Sequence, residues 1–209
     1  MRQPYYISGL WADPSRAEQI KTRLDSLKNA DVEDMMSIQL DYTSMFAKDI
    51  TPYILKVEKD ESDKHIKRAF KFLKEWDHVE SVDSEAALIF NVIIKNLVFN
   101  LYGDEIALLG ESYLQAFSGI NYLITRRLRE DLEGGRSTWI DDIKTNNKIE
   151  KINEIVYSSV VDAINEIKEK FGENWSNWKW GDAHSLTHKH LFNKNPFIDW
   201  LFNFSVGPY

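Results

Sequence analysis

AALIFNVIIKNLVFNL, residues 86–101, is the most apolar run in the chain. A membrane-crossing helix needs roughly 20 apolar residues, and Asn91, Lys95, Asn96 and Asn100 interrupt this one. The run therefore reads as the central, mostly buried helix of a bundle. Asp83 or Ser84 is placed to cap its start, and Gly103 to mark its end. Neither a membrane partner nor a signal peptide is expected, since Met1-Arg2-Gln3-Pro4 leads into an extended stretch and not into a basic region followed by an apolar one.

Amphipathic segments lie on both sides of this helix. Before it, Asp60 to Trp76 carries a stripe of Ile66, Phe70 and Leu73. Further back, Asp31 caps a long element with Val32, Met35, Met36, Leu40 and Phe46 on its apolar side, interrupted near Thr51-Pro52. Asp13-Pro14 is a helix start, followed by Ala17, Ile20, Leu24 and Leu27 on one face. After the central run, shorter helices are expected over Asp104 to Phe117 and Ile120 to Leu132, with a break at Gly134-Gly135. A long helix follows from about Lys148 to Phe171, with Ile152, Ile155, Val156, Val160, Ala163, Ile164 and Ile167 in register and Gly172 closing it.

The last 35 residues differ in character. Trp175 to Tyr209 holds four of the chain's seven tryptophans and three of its five histidines. Ala183 to His190 reads as a strand, and Phe204 to Val206 as aromatic and β-branched strand material. The expected architecture is mainly α, a multi-helix domain with short extended segments at both ends. It divides into an extended segment at 1–12, a helical domain at 13–174 and an aromatic, strand-like tail at 175–209. The tail's ending suggests a chain cut from something longer.

Composition limits the chemistry. At 209 residues the chain can bury roughly 70% of its unfolded surface. Its net charge of −7 repels a phosphate backbone, so nucleic acid is not an expected partner. Arg126, Arg127 and Arg129 are followed at once by Glu130, Asp131 and Glu133, which reads as a solvated helix face. The absence of cysteine excludes disulfides, thiolate zinc sites and cysteine nucleophiles.

No phosphate-cradling glycine loop, G-x-S-x-G elbow, H-E-x-x-H or EF-hand spacing is present. His184, His188 and His190 would share one face of a strand, which makes a metal-dependent hydrolase conceivable. No carboxylate sits at matching spacing, so the three read as packed, hydrogen-bonded residues and no metal is assigned. Asp141-Asp142 and Asp104-Glu105 sit where helices are expected to start and read as caps. Gln39 and Asp41, inside an otherwise apolar helix, read as structural polar groups needing partners.

Five segments together are informative. Tyr5 to Trp11 followed by Arg16-Ala17-Glu18-Gln19-Ile20 is the first. Ile38-Gln39-Leu40-Asp41 with Ser44 and Ala47 is the second, and Leu73-Lys74-Glu75-Trp76-Asp77 with Ser84 the third. Trp139-Ile140-Asp141-Asp142 with Thr145 is the fourth. Trp178-Lys179-Trp180-Gly181 with His184 and Leu186, then Phe204 to Pro208, is the fifth. In this order they resemble segments of the β chain of the penicillin acylase (penicillin amidase) family of N-terminal-nucleophile hydrolases, across the whole chain.

The resemblance implies a parent enzyme that hydrolyses an acyl–amine amide bond, acting on a small acylated amine. It would use a serine whose own α-amino group is the base. That serine and the oxyanion asparagine match no position here, so this segment alone is expected to be inactive and to pack against the remainder of the acylase. Arg16 matches an arginine that supports the active site, a duty that suits a fixed guanidinium. The resemblance allows calcium in the parent, but Tyr5 stands where some members carry a calcium-ligating aspartate, and a phenol is a poor calcium ligand. No cofactor is assigned to this segment. A periplasmic or secreted location follows from the family alone. The rival from another class is a stand-alone helical protein-binding module that docks through its aromatic tail.

Overall fold

The computed structural model describes residues 13–60, 62–120, 124–135, 137–146, 148–188 and 204–206, and these are mainly α. The helices are α1 (Ser15–Asp25), α2 (Val32–Gln39), α3 (Met45–Leu55), α4 (Lys64–Glu75), α5 (Glu85–Leu108), α6 (Glu111–Ile120), α7 (Thr125–Gly134), α8 (Ile152–Phe171) and the single turn α9 (Trp180–Ala183). A two-stranded antiparallel pair, β1 (Leu186–His188) with β2 (Phe204–Val206), lies beyond them, with Thr187 opposite Ser205.

The core forms around α5. Ser84 accepts a hydrogen bond from Ala87 N (3.1 Å) and starts the helix. Ala87, Leu88, Ile89, Ile93, Leu97 and Leu101 are fully buried along it. By composition α5 could cross a membrane, with a mean hydropathy of 1.5, yet 61% of that window is buried against the rest of the protein. Its polar interruptions explain the difference, because they reach the facing helix. Asn100 donates to Ser159 Oγ (3.0 Å) and Asp162 Oδ2 (2.9 Å), and Asn96 and Lys95 both bond Glu166. These groups register α5 against α8, where Val156, Val160, Ala163, Ile164 and Ile167 complete the seam. Gly172, at φ 78°, ends α8 in a backbone region that favours glycine.

Several boundaries differ from expectation. α5 runs through Gly103 to Leu108, because apolar contacts continue on both sides of that residue; Gly110, at φ 107°, makes the turn instead. The segment from Asp31 is two helices, broken at 40–44, and Asp41 lies in the break and not inside a helix. Pro52 sits within α3 without ending it. Ala47, Ile50, Thr51 and Ile54 are buried on both sides of the proline and hold the helix together. The start of α4 falls at Asp63, whose carboxylate accepts from His65 N (2.6 Å) and Ile66 N (3.3 Å), and not at Asp60.

The tryptophan-rich segment is continuous with the helical core at its beginning. Trp178 is fully buried and donates from Nε1 to Gly172 O (2.8 Å). The His65 ring stacks on Trp178 and lies tilted against Trp175, which meets Trp178 edge to face, and His65 Nε2 lies 3.3 Å from Glu173 O. Trp180 N and Gly181 N donate to Ser84 O and Val82 O, at the start of α5. Ala183 therefore ends a helical turn where a strand was expected, and among the described residues the strand covers Leu186–His188. The extended segment expected at 1–12 lies outside the described residues.

Candidate functional site

The break between α2 and α3 builds a polar cleft. Asp41 is its hub, with a side chain only 5% exposed. Its Oδ1 accepts from Thr43 N (2.9 Å), which turns the chain, and its Oδ2 accepts from Gln19 Nε2 (2.7 Å) and Arg23 Nη1 (2.8 Å). Burial pushes this carboxyl upward, but the hydrogen bonds from Thr43, Gln19 and Arg23 outweigh it and hold the group at about 2. Asp41 is thus an anion throughout the physiological range.

Arg16 approaches the same loop from α1. Its Nη1 donates to Asp41 O (2.6 Å), and its Nη2 to Ile38 O (3.1 Å) and Gln39 O (3.3 Å). A guanidinium at these carbonyls also meets the negative end of the α2 dipole. Among the described residues, these three bonds leave the Nε–H and one Nη1–H of its five donors for other acceptors.

The opposite wall comes from the loop after α4. Thr43 and Val79 form an antiparallel bridge, Ser44 N donates to His78 O (2.8 Å) and Glu80 N donates to Tyr42 O (3.0 Å). Trp76 and Asp77 shape that loop from below, through Trp76 Nε1 to Val79 O (3.0 Å) and Val79 N to Asp77 Oδ1 (2.9 Å). His78 adopts φ 64°, a left-handed conformation uncommon outside glycine, beside the Trp76 ring. Ser44 caps α3 by accepting from Ala47 N (3.3 Å). The resulting cleft, about 350 Å³, is lined by Arg16, Gln39, Asp41, Ser44 and Glu80 among others.

Residues singled out separately in the sequence therefore meet in one place. Arg16, Gln39, Asp41 and Ser44 line the cleft, while Trp76 and Asp77 brace its wall. Gln19, Arg23, Thr43 and Glu80 were missed. The expected buried face of α1 was Ala17, Ile20, Leu24 and Leu27, yet Ala17 and Leu24 are exposed and Gln19 is the buried residue. The relevant signal was polar: Arg16, Gln19 and Arg23 repeat at helical spacing and face the Asp41 loop.

The other candidates fare differently. His184 lies past the end of α9, stacked on Trp180 at 4.7 Å, so it does not share a strand face with His188. His190 lies outside the described residues. Among the described residues no group of three or more His, Asp or Glu is arranged to hold a metal.

Asp104 and Glu105 lie near the end of α5 and are not caps at a helix start. Asp104 accepts from Ile143 N (2.9 Å). Glu105 is pushed up to about 7, first by burial, then by hydrogen bonding to Asp104 and by the charges of Asp104 and Asp141. Asp141 ends a 3-10 turn (Thr138–Ile140), and Asp142 Oδ1 accepts from Lys144 N (3.0 Å) to shape the turn after it. The W-x-D-D-x-x-T segment is thus a clamp, with the Trp139 ring 5.8 Å from that of Tyr102 and Thr145 Oγ1 donating to Glu150 (3.1 Å).

These features define a helical domain whose family-like segments serve two tasks, walling a polar cleft and bracing it on the α5 core. Comparison with known proteins agrees. The sequence model of the family described as penicillin amidase matches residues 1–209, and the chain belongs to that family. No curated protein sequence matches it. Family membership supports a hydrolase of the penicillin-acylase type as the parent.

Proposed function

We propose that this chain is the helical part of an amide hydrolase that cleaves acyl–amine bonds, working with a nucleophile-bearing part of the enzyme. The observation that carries this reading is the meeting of Arg16, Gln39, Asp41 and Ser44 in one cleft. Among the described residues Arg16 keeps two N–H donors after fixing the loop, and on this reading they support the charge that develops on the carbonyl oxygen of the substrate. A donor aimed at such an oxyanion lowers the barrier by about 3–4 kcal/mol in comparable sites. Asp41, through Gln19 and Arg23, keeps the loop rigid so that Arg16 pays little reorganisation at the moment of reaction.

The expected partners are the remainder of the acylase and a small acylated amine. Leu24, Val32, Met36, Leu40 and Tyr42, on α1, α2 and the loop after them, are all exposed, and so support a surface covered by other polypeptide. A periplasmic or secreted location goes with this reading. The same apolar surface would serve a stand-alone binding module, and activity separates the two.

The test is release of p-nitroaniline from an N-acyl p-nitroanilide. The natural gene product containing these residues is expected to turn the substrate over, and the 209-residue chain is expected not to. Turnover by the chain alone, or no acyl-amide cleavage by the gene product, contradicts the proposal.

A further inference from the structure

Arg129 stands where three helices meet, far from the solvated role that its sequence neighbours suggest. Its side chain is 24% exposed, whereas that of Arg126, one turn earlier, is 88% exposed. Nη1 lies 2.8 Å from Asp13 Oδ2, and Nη2 lies 3.1 Å from Asp49 Oδ2 and donates to Ser15 Oγ at 2.9 Å. The guanidinium carbon lies 5.3 Å from the centre of the Phe46 ring.

These partners belong to the two walls of the cleft. Asp13 and Ser15 begin α1, and Ser15 and the adjoining Arg16 both line the cleft. Phe46 and Asp49 lie in the first turns of α3, directly after Ser44 and Met45, which line it from the other side. One planar guanidinium therefore grips both walls. Pro14, at the N-cap of α1, makes no side-chain cap, so the polar closure of that helix start depends on Asp13, to which Arg129 is paired.

We infer that Arg129 is a positioning residue that sets the separation of the α1 and α3 starts, and with it the placement of Arg16 opposite Ser44. Its value for catalysis rests on the function proposed above; its geometric role does not. Lysine can keep one ion pair here but cannot span Asp13, Asp49 and Ser15 at once.

Two measurements separate the claims. In ¹⁵N-labelled 209-residue chain, Arg129→Met is expected to shift the Arg16 Nε–Hε signal and the Arg16 and Ser44 amides. Amide exchange in α1 should quicken by about 10-fold or more, while Leu97 and Val160 stay unchanged as reporters of the α5–α8 core. Arg129→Lys should fall between the two, and Arg129→Gln substitutes if the methionine variant does not fold. Unmoved Arg16 and Ser44 signals, or a uniform change that includes Leu97 and Val160, overturn the inference. In the natural gene product, Arg129→Met should lower kcat by about 10-fold or more with KM nearly constant, and Arg129→Lys should recover part of it. Unchanged kcat overturns the positioning role. Failure of the unsubstituted protein to cleave any acyl amide removes the functional reading and leaves the resonance measurement to judge the geometry.

Discussion

Trp178→Ala is expected to lower the stability of the chain by about 3–5 kcal/mol, the range for deleting a fully buried large aromatic. The indole is 0% exposed and belongs to the same core cluster as Phe70, Ile93 and Ile164. Its Nε1–H satisfies the carbonyl of Gly172 at the end of α8, and its ring stacks on His65 and meets Trp175 edge to face. Removing it leaves a cavity, orphans that carbonyl and releases the start of the tail from α4. Trp178→Phe keeps most of the apolar contact and loses only the donor, so it should cost about 1–2 kcal/mol. Chemical denaturation of the two variants checks this. Equal, small losses would mean that the tail is an appendage and not part of the core.

The second large effect is a dependence on pH set by Glu105. Burial and the neighbouring Asp104 carboxylate raise its carboxyl from the ordinary 4.5 to about 7. The folded chain therefore holds a proton there that the unfolded chain releases between those values. Stability from this group is fully present below pH 4.5 and is lost as pH rises through 7. Asp41 acts in the opposite sense. Its carboxyl is held at about 2 against an ordinary 3.8, so its contribution is present above pH 3.8 and fades as pH falls toward 2. Unfolding followed across pH should show both limbs. Glu105→Gln should flatten the upper limb, since an amide can still donate to Asp104 without titrating. An unchanged upper limb in that variant would assign it to another group.

The helical core was legible in the sequence because its signal is apolar periodicity. Ile66, Phe70 and Leu73, and the α8 series from Ile155 to Ile167, are buried as their spacing predicts. Capping chemistry was readable too, at Asp31, Ser84 and Gly172. Failures cluster where polar contacts override the apolar pattern. α1 turns Gln19 inward and leaves Leu24 out, because Asp41 must be satisfied by Gln19 and Arg23. Gly103 did not end α5, because a glycine inside a helix costs only about 1 kcal/mol and the surrounding burial exceeds it. Arg126 and Arg127 are exposed as their charge pattern predicts, but Arg129 looked solvated because its partners, Asp13 and Asp49, are visible only once the helices are assembled.

The cleft was legible as residues but not as a place. Arg16, Gln39, Asp41 and Ser44 stood out through resemblance, whereas their meeting depends on a helix break at 40–44 and on a pairing with 78–80 that no local pattern encodes. The strand reading of Ala183 to His190 failed at its beginning for a similar reason. Trp180 and Gly181 bond back to Val82 and Ser84, which winds that segment into a turn.

Arg16 is the most direct point at which to test the link between this cleft and amide hydrolysis. In the natural gene product, kcat and KM for an acyl anilide should be compared between the unsubstituted enzyme, Arg16→Lys and Arg16→Ala. Arg16→Ala is expected to lower kcat by about 100-fold with KM little changed. Loss of its contact with the α2 carbonyls should cost only about 1 kcal/mol of stability. A folded Arg16→Ala enzyme that retains kcat within about twofold, far short of the effect of an oxyanion-supporting donor, would contradict the assignment of this cleft to the reaction.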